Sequence, residues 1–287
     1  MRRVFTVYGA TGQQGGALIK YLLEHPQFSK KFKVRGVTRD IEKPSAKKLA
    51  EQGVEMVQAD IDDPETLKAA NQGSYAVFAV TNWLEKMDVA LEVAQGKALA
   101  DAAVAADVEL LIWSSLPRVG FPQFDSKAEV EDYIRTLPIK SVFFMAGFFM
   151  QNHLGHSRPK KVEKDGAPHY ILEPPVPIIT SKMWLPYIDI ADIGMFLQPA
   201  LDDPEKFNGV NLTASQAYYT IEELCDTWKK KTGTEVEFVG PVGEPTSEES
   251  IYYGPGGRKA MEWTLAQMED TPGTWESFVE RSGPWFE

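Results

Sequence analysis

Three glycines near the start of the chain have the spacing of a turn that binds phosphate groups. An apolar, β-prone run at 4–8 stops at a glycine-rich turn, and a helical pattern follows from residue 17. The three glycines are Gly9, Gly12 and Gly15. A tight turn, a close approach of the backbone to a pyrophosphate and close helix–strand packing each require a missing side chain. Because the first amides of a helix attract phosphate, the pattern predicts a dinucleotide-binding turn, with a plain flexible turn as the alternative.

A basic residue follows the second predicted strand. Residues 33–38 read as that strand, and Arg39 and Asp40 come directly after it. At this position an acidic residue would bind the adenine ribose hydroxyls, whereas an arginine would bind a 2′-phosphate. Since Arg39 comes first, the sequence favours NADP(H), and Asp40 keeps NAD(H) as the lesser alternative. A different interpretation is a solvated loop arginine paired with Asp40.

Polar residues also follow the other predicted strands. In an open α/β sheet the ligand binds outside the carboxyl ends of the strands. That rule points to Asp60 and Ile61 after the third strand, where a carboxylate and backbone groups suit the adenine amino group. It also points to Thr81 and Asn82 after the fourth strand. For Asp60 and Thr81 a capping or turn role is the alternative.

Strands and helices alternate through the first half of the chain. Predicted strands lie at 3–8, 33–38, 54–58, 75–80, 108–114 and 141–145. Predicted helices lie between them at 15–23, 46–52, 65–70, 85–106 and 126–135. Short apolar strands alternating with helices indicate an α/β protein with a doubly wound parallel sheet.

The alternation breaks after Asn152, where proline and glycine clusters mark loops. Those clusters lie at 173–177, 240–245 and 254–257. The pattern after this point predicts helices at 190–201, 221–232, 258–268 and 274–281, with short strands at 210–213 and 235–239. We expect a smaller C-terminal α/β region here.

Composition excludes several classes of protein. The chain has 287 residues, 43% of them hydrophobic, and a net charge of −11. Without a basic stripe interleaved with aromatic residues, direct nucleic-acid binding is not expected. The single cysteine, Cys225, rules out an intrachain disulfide framework and suits a reducing cytosol; we expect it to be half-buried on a helix.

Neither a membrane segment nor a metal site is expected. The longest apolar stretch, 141–150, is too short to span a bilayer, and the first strand begins too early to leave room for a signal peptide. We therefore expect a cytoplasmic protein, with the nucleus as a further location. His153, His156 and His169 lack metal-ligand spacing and are interpreted as loop residues.

Six short segments form an ordered set of motifs. They are 9–16, Val37-Thr38-Arg39, 59–63, Val80-Thr81-Asn82-Trp83, Phe124-Asp125-Ser126-Lys127 with Glu129-Val130-Glu131, and 148–152. Together they resemble the NmrA-like group of atypical short-chain dehydrogenase/reductases, and 183–192 resembles that family's return to the sheet. The resemblance implies an extended Rossmann fold. Its NAD(P)-binding domain would cover 1–152 and a smaller region 153–287, with 183–213 returning to the Rossmann sheet.

The resemblance also implies a role for each matching residue. The pyrophosphate would be held by Gly9, Thr11, Gly12, Gln13, Gln14 and Gly15, the 2′-phosphate by Arg39, and the adenine by Asp60 and Ile61. The nicotinamide ribose region would be held by Thr81 and Asn82, the ribose hydroxyls by Lys127, and further cofactor contacts by Phe148 and Asn152. Lys127 is also the candidate catalytic residue.

The chain departs from the wider superfamily at its acid–base pair. Short-chain dehydrogenases use Tyr-x-x-x-Lys, because a four-residue step on a helix places the ammonium beside the phenol. Here the residue four before Lys127 is Gln123, and Tyr133 follows Lys127 instead of preceding it. A glutamine cannot act as a general acid at neutral pH. The alternative role for Lys127 is an exposed helix pair with Glu131.

Two classes of function stay open on this resemblance. Several NmrA-like proteins sense the NADP(H) ratio and bind transcription factors, whereas others reduce quinones, dyes or plant phenylpropanoids. The missing proton donor and the acidic charge favour a sensor or co-regulator that acts through a protein partner. The alternative is a reductase of an apolar small molecule. Its pocket would be lined by Trp83, Phe148, Phe149, Met150, Met183, Trp184 and Tyr187, although a core role is expected for most of them. The oligomeric state stays open.

Overall fold

The computed structural model describes residues 2–164, 166–244 and 252–286. The chain divides into two compact units, each described here by itself. The first takes Met1–Met145 and Ala191–Leu212, and the second takes Ala146–Ile190 and Thr213–Glu287. The first segment of the first unit ends at Met145, whereas the sequence predicted a boundary at 152.

A seven-stranded parallel sheet forms the centre of the first unit, in the order β11-β6-β5-β4-β1-β2-β3. The strands are β1 (Arg3–Val7), β2 (Phe32–Thr38), β3 (Glu55–Gln58), β4 (Ser74–Ala79), β5 (Leu110–Ser115), β6 (Lys140–Ala146) and β11 (Val210–Ala214). β1 pairs in parallel with both β2 and β4, so the strand order reverses there. This topology confirms the predicted doubly wound α/β fold, and its switch point lies between β1 and β4.

Eight helices of the first unit connect these strands. They are α1 (Gln13–Glu24), α2 (Phe28–Lys31), α3 (Pro44–Glu51), α4 (Pro64–Asn71), α5 (Trp83–Lys86), α6 (Val89–Ala105), α7 (Pro122–Ile134) and α8 (Ile193–Asp202). Three of them begin with a proline at the first helical position, where its fixed φ suits the helix and its missing N–H costs no bond.

The single helix predicted at 85–106 is wrong, because the structure has two helices there. Met87 ends α5 in the left-handed region, with φ 52°. Asp88 then starts α6, and its carboxylate accepts the N–H of Leu91 at 3.0 Å. A capping aspartate in the middle of an apolar pattern therefore starts a new helix.

One part of the core of the first unit lies between the sheet and the pair α6 and α7. Trp113 and Phe143 are fully buried there. Gly96 of α6 lets the two helices approach, because a Cβ at this position would lie 2.5 Å from the Val130 side chain. Trp113 donates its indole N–H to the carbonyl of Lys127 at 3.1 Å, which ties β5 to α7.

The second unit contains two small sheets, ordered β12-β10-β7 and β13-β9-β8. Its strands are β7 (Phe148–Phe149), β8 (Lys160–Lys164), β9 (Ala167–Leu172), β10 (Leu185–Ile188), β12 (Ala217–Tyr219) and β13 (Val236–Phe238). Its helices are α9 (Ile221–Thr232), α10 (Gly257–Leu265) and α11 (Trp275–Arg281), with a 3-10 helix at Met150–Leu154.

The segment expected to return to the sheet, 183–213, is divided between the two units. α8 and most of β11 belong with the first unit, and β11 is the edge strand beside β6. β10, by contrast, pairs with β7 and β12 in a separate sheet of the second unit.

An aromatic cluster forms the core of the second unit. It is built on Trp228, Trp275, Trp285 and Tyr187, all buried. His153 joins this cluster, with its ring edge-on to Trp228 at 5.3 Å and near Trp275 at 5.1 Å between centroids. The interpretation of His153 as a loop residue is therefore wrong, because the aromatic residues of α9 and α11 enclose it.

Among the described ranges, no helix combines the length and the apolar composition needed to cross a bilayer. Cys225 lies on α9 and is half-buried, as expected from its place in the helical pattern.

Candidate functional site

The turn after β1 presents an open backbone at the switch point of the sheet. Gly9 lies in the left-handed region at φ 63°, which glycine adopts without strain. The N–H of Gly12 donates to the carbonyl of Gly9 at 2.8 Å, and α1 begins at Gln13 without a side-chain cap or an acidic residue in its first turn. The first N–H groups of a helix lack intrahelical partners, so this terminus suits an anion.

Gly12 and Gly15 of this turn have different surroundings. A Cβ at Gly15 would lie 2.3 Å from the carbonyl oxygen of Gly9, so Gly15 serves the packing of α1 on the turn. A Cβ at Gly12 would lie 3.2 Å from the same oxygen, and Gly12 is exposed. The exposed part of the turn is therefore Gly9, Thr11, Gly12 and Gln13.

Gln14 is held by the end of a neighbouring strand. The Ser114 hydroxyl at the end of β5 donates to Oε1 of Gln14 at 2.9 Å. This bond orients the amide side chain, while the backbone N–H of Gln14 belongs to the first turn of α1.

Arg39 follows β2, and its guanidinium forms an ion pair with Glu85 of α5. The Arg39 side chain is 59% exposed and that of Glu85 36%. The hydrogen bond and charge of Glu85 raise the pKa of Arg39 above its usual range, with smaller contributions from Asp60 and Asp62. The alternative of a solvated arginine agrees with this exposure, but its expected partner Asp40 is wrong, because the guanidinium pairs with Glu85 of α5.

Asp60 and Ile61 form the turn after β3. Oδ1 of Asp60 accepts the N–H of Asp62 at 3.1 Å, and its own N–H donates to Thr66 at 3.1 Å. Ile61 is half-buried and packs against the core of the first unit. The turn alternative for Asp60 therefore describes its carboxylate, and the adenine contact stays a prediction.

Lys127 lies in a buried polar network at the end of β4. Its Nζ donates to the hydroxyl of Thr81 at 2.8 Å and to the carbonyl of Thr81 at 3.3 Å. It also lies 2.9 Å from Oε1 of Glu92, which accepts the Thr81 hydroxyl at 2.7 Å. The Ser126 hydroxyl donates to the second oxygen of Glu92. Burial lowers the pKa of Lys127, and the Glu92 charge opposes that shift.

Glu131, the partner of Lys127 in the alternative interpretation, binds other residues. Its carboxylate accepts hydrogen bonds from Nη2 of Arg135 at 2.8 Å and from the hydroxyl of Ser115 at 2.5 Å. The interpretation of Lys127 as part of an exposed pair with Glu131 is therefore wrong, because the side chain of Lys127 is buried and contacts Glu92 of α6. Tyr133 is also committed elsewhere, since its hydroxyl donates to Asp101 at 2.6 Å.

Two acidic residues of this region, Glu85 and Glu92, were not identified from the sequence. Glu92 shares a helix face with Gly96, Leu99 and Ala103, all buried. An acidic residue on an otherwise apolar stripe was the signal available for it, since a buried carboxylate needs a partner. Glu85 gave no such signal, because its partner lies on a different element.

Asn82, Phe148 and Asn152 complete the set of predicted positions. Asn82 is exposed at the start of α5. Phe148 lies in β7 with its ring centroid 4.9 Å from that of Tyr252. Asn152 is half-buried in the 3-10 helix, where its carbonyl accepts the N–H groups of Gly155 and Ser157. Their predicted roles as cofactor contacts stay predictions.

Most of the residues proposed for an apolar pocket are core residues. Met150, Met183 and Tyr187 are buried in the aromatic core of the second unit, and Phe148 packs against that core. Trp83, on α5 of the first unit, is half-buried. In the part of the chain that the structure describes, no three histidine, cysteine or acidic residues group as a metal site.

The sheet order and the glycine turn at its switch point define a Rossmann-like α/β protein. Residues 1–271 match the model of the NmrA-like family, and the chain belongs to that family. The NmrA-like family domain-containing oxidoreductase lnaB of Aspergillus flavus is 29% identical over 259 residues, covering 83% of this chain and 75% of that protein.

Two solved structures have the same fold. The negative transcriptional regulator NmrA, in complex with NADP, aligns with a TM-score of 0.80 at 19% identity, over 99% of this chain and 96% of that chain. The NADPH-dependent quinone oxidoreductase QOR2 of Escherichia coli, complexed with NADPH, aligns with a TM-score of 0.73 at 18% identity, over 97% and 99%. The fold thus occurs in both a regulator and a reductase.

Proposed function

We propose that this protein binds NADP(H) at the carboxyl edge of its seven-stranded sheet and acts as a redox sensor or co-regulator through a protein partner. The observation that carries the binding proposal is the exposed glycine turn at the switch point, where α1 begins without a cap. A side chain at Gly12 would enter the space that a pyrophosphate needs.

The residues of the first unit fit such a cofactor in order along the sheet edge. The amides of the turn, at Gly12 to Gly15, would hold the pyrophosphate. Arg39 would hold the 2′-phosphate, with NAD(H) as the weaker ligand. Asp60 and Ile61 would lie at the adenine, and Thr81, Asn82 and Lys127 at the nicotinamide ribose. The bound nicotinamide would supply a hydride or accept one.

The polar network around Lys127 supports a sensor. Its ammonium has three donors, and Thr81 and Glu92 provide three acceptor contacts. The position where the superfamily has its phenol is Gln123, whose amide cannot donate a proton at neutral pH. Lys127 thus positions the end of β4 and would reach a ribose hydroxyl only by exchanging one of these contacts, while Gln123 does not supply the acid of a carbonyl reductase.

The partner would be a protein rather than a nucleic acid. A net charge of −11 opposes binding to a phosphate backbone. A transcription factor is the class of partner that the family resemblance implies.

A second candidate function is reduction of an apolar small molecule such as a quinone. It is favoured by the Aspergillus flavus relative, whose name includes oxidoreductase, and by the likeness to the quinone oxidoreductase fold. A quinone tolerates solvent as its proton source, so it needs no phenol at residue 123. Otherwise Lys127 itself would have to serve as the acid.

One experiment separates the two candidates. NADPH is titrated into the purified protein by fluorescence, and its oxidation is then followed with a panel of quinones, enones, and simple aldehydes and ketones. Saturable binding without consumption supports the sensor. Saturable consumption with a quinone or enone supports the reductase.

Substitutions at two positions test the assignment of the site. Lys127→Ala should weaken NADPH binding, whereas Gln123→Ala should leave it almost unchanged. Robust reduction of simple ketones, lost in Gln123→Ala, would overturn the assignment.

A further inference from the structure

The ion pair between Arg39 and Glu85 engages Nη1 of the guanidinium that the proposed function assigns to the 2′-phosphate. Nη1 of Arg39 donates to a carboxylate oxygen of Glu85. Glu85 reaches this place from α5, the short helix that follows β4, while Arg39 follows β2. The pair therefore joins two different strand ends of the same sheet edge.

The surroundings of Arg39 are acidic as well. Asp60 and Asp62, in the turn after β3, also act on the guanidinium through their charges. The charges of three carboxylates thus act on one cation. An anionic ligand that takes Nη1 must displace Glu85, and one that takes another donor of the guanidinium must still approach the Glu85 charge.

A 2′-phosphate would meet this competition directly. A phosphate monoester carries about −1.5 to −2 charges at pH 7, and its oxygens accept from the same guanidinium donors as a carboxylate does. The 2′-hydroxyl of NAD(H) is neutral, so it neither repels Glu85 nor needs Arg39.

We propose that Glu85 is a specificity-determining residue, which competes with the 2′-phosphate for Arg39 and so reduces the preference of this protein for NADP(H) over NAD(H). The inference rests on the proposed function, since it requires a dinucleotide at this edge. It concerns selectivity alone and does not depend on whether a substrate is reduced.

The size of the effect follows from the exposure of the pair. Ion pairs this exposed contribute about 0.2–1 kcal/mol, so removing the competitor should strengthen NADP⁺ binding by a factor of about 1.4 to 5. The gain should shrink as ionic strength rises, because salt screens exposed charges.

The test measures NADP⁺ and NAD⁺ affinities by calorimetry for the native protein and for Glu85→Gln. We expect a tighter Kd for NADP⁺ and an unchanged Kd for NAD⁺. Glu205→Gln is the matched control. It breaks an exposed ion pair with Lys140, which begins β6 and so lies at the amino ends of the strands, away from the proposed site at their carboxyl ends. It removes the same charge from the first unit and should leave both affinities unchanged.

A second pair of variants shows whether the effect acts through Arg39. In the Arg39→Ala background, Glu85→Gln should no longer strengthen NADP⁺ binding more than NAD⁺ binding. An unchanged ratio of the two affinities in Glu85→Gln alone would overturn the inference and leave the proposed function standing. Failure of the native protein to bind either dinucleotide would instead refute the proposed function, and the inference with it.

Discussion

Lys127 and Glu92 form a buried ion pair whose members depend on each other. Their side chains are 10% and 3% exposed. Removing one member of such a pair leaves an uncompensated buried charge, which costs more than the pair contributes. The energetic role of Lys127 is therefore inseparable from its role at the proposed site.

We predict that Glu92→Gln lowers the free energy of unfolding by about 3–5 kcal/mol, because it leaves the ammonium of Lys127 without its counter-ion. Lys127→Met should cost a similar amount for the opposite reason. The double variant should cost clearly less than the two single changes together. Urea denaturation at pH 7 measures all three, and strictly additive losses would show that the two residues do not interact.

His153 predicts a pH dependence at the residue scale. Burial lowers its pKa to about 4, and its Nδ1 lies 3.0 Å from the carbonyl of Ser157. The folded protein therefore holds a neutral imidazole, whereas the unfolded chain takes up a proton near pH 6.5. Stability is complete above the unfolded pKa and is lost as the pH falls from about 6.5 toward about 4.

At pH 5 this loss amounts to about 2 kcal/mol relative to pH 7. His153→Asn keeps a donor for the Ser157 carbonyl but does not titrate, so its unfolding free energy should fall less over this range. Denaturation followed by tryptophan fluorescence measures the difference, with the exposed His156→Asn as the control. Parallel pH profiles for the native protein and His153→Asn would contradict the prediction.

At the scale of elements, two glycines of the turn have different roles, one in packing and one in the proposed binding. The sequence makes Gly12 and Gly15 look equivalent, but the structure gives them different surroundings. Gly15→Ala should destabilise the first unit by about 1–3 kcal/mol, because its Cβ would overlap the backbone of Gly9 and displace α1. Gly12→Ala should keep the fold and weaken NADP⁺ binding.

Thermal unfolding and calorimetry of both variants test this distinction. The decisive comparison is Gly12→Ala, since it is exposed and its Cβ makes only one tight contact. If Gly12→Ala bound NADP⁺ with native affinity, the turn would not be the pyrophosphate site.

The alternation of elements in the first unit was predictable because buried parallel strands are short apolar runs between helices. All six strands predicted before residue 152 are present. In the second unit β13 was predicted, at 235–239, but the other small strands were missed. β8 consists mostly of lysine and glutamate, so it lacks the apolar alternation of a strand, and β10 is only four residues long. These strands form through tertiary contacts rather than through their own pattern.

The site was predictable where backbone geometry dictates the residue type. Gly9 needs a positive φ, and the position of Arg39 follows from the end of β2. The ion-pair partners of Arg39 and Lys127 were not predicted, since Glu85 and Glu92 approach from elements distant in sequence. Pairing across elements depends on helix orientation, which composition and spacing do not specify.

At the scale of the whole molecule, each unit has its own core, and the proposed ligand should stabilise the folded protein through mass action. At a free NADP⁺ concentration 100 times its Kd, the gain is about 2.7 kcal/mol. We predict a matching rise in the free energy of unfolding, with a smaller rise in Arg39→Ala at the same concentration. Denaturation with and without NADP⁺ measures this, and an unchanged transition would contradict the proposed binding.

The single native cysteine should react little with thiol-directed labels. Cys225 is half-buried, and burial raises the pKa of its thiol to about 12, so little reactive thiolate forms at neutral pH. Leu84 on α5, beside Glu85, is 76% exposed. A fluorophore attached through Leu84→Cys would therefore label one place, next to the Arg39–Glu85 pair. Its emission would report on α5 as NADP⁺ or NAD⁺ is added, without any mutation of the native cysteine.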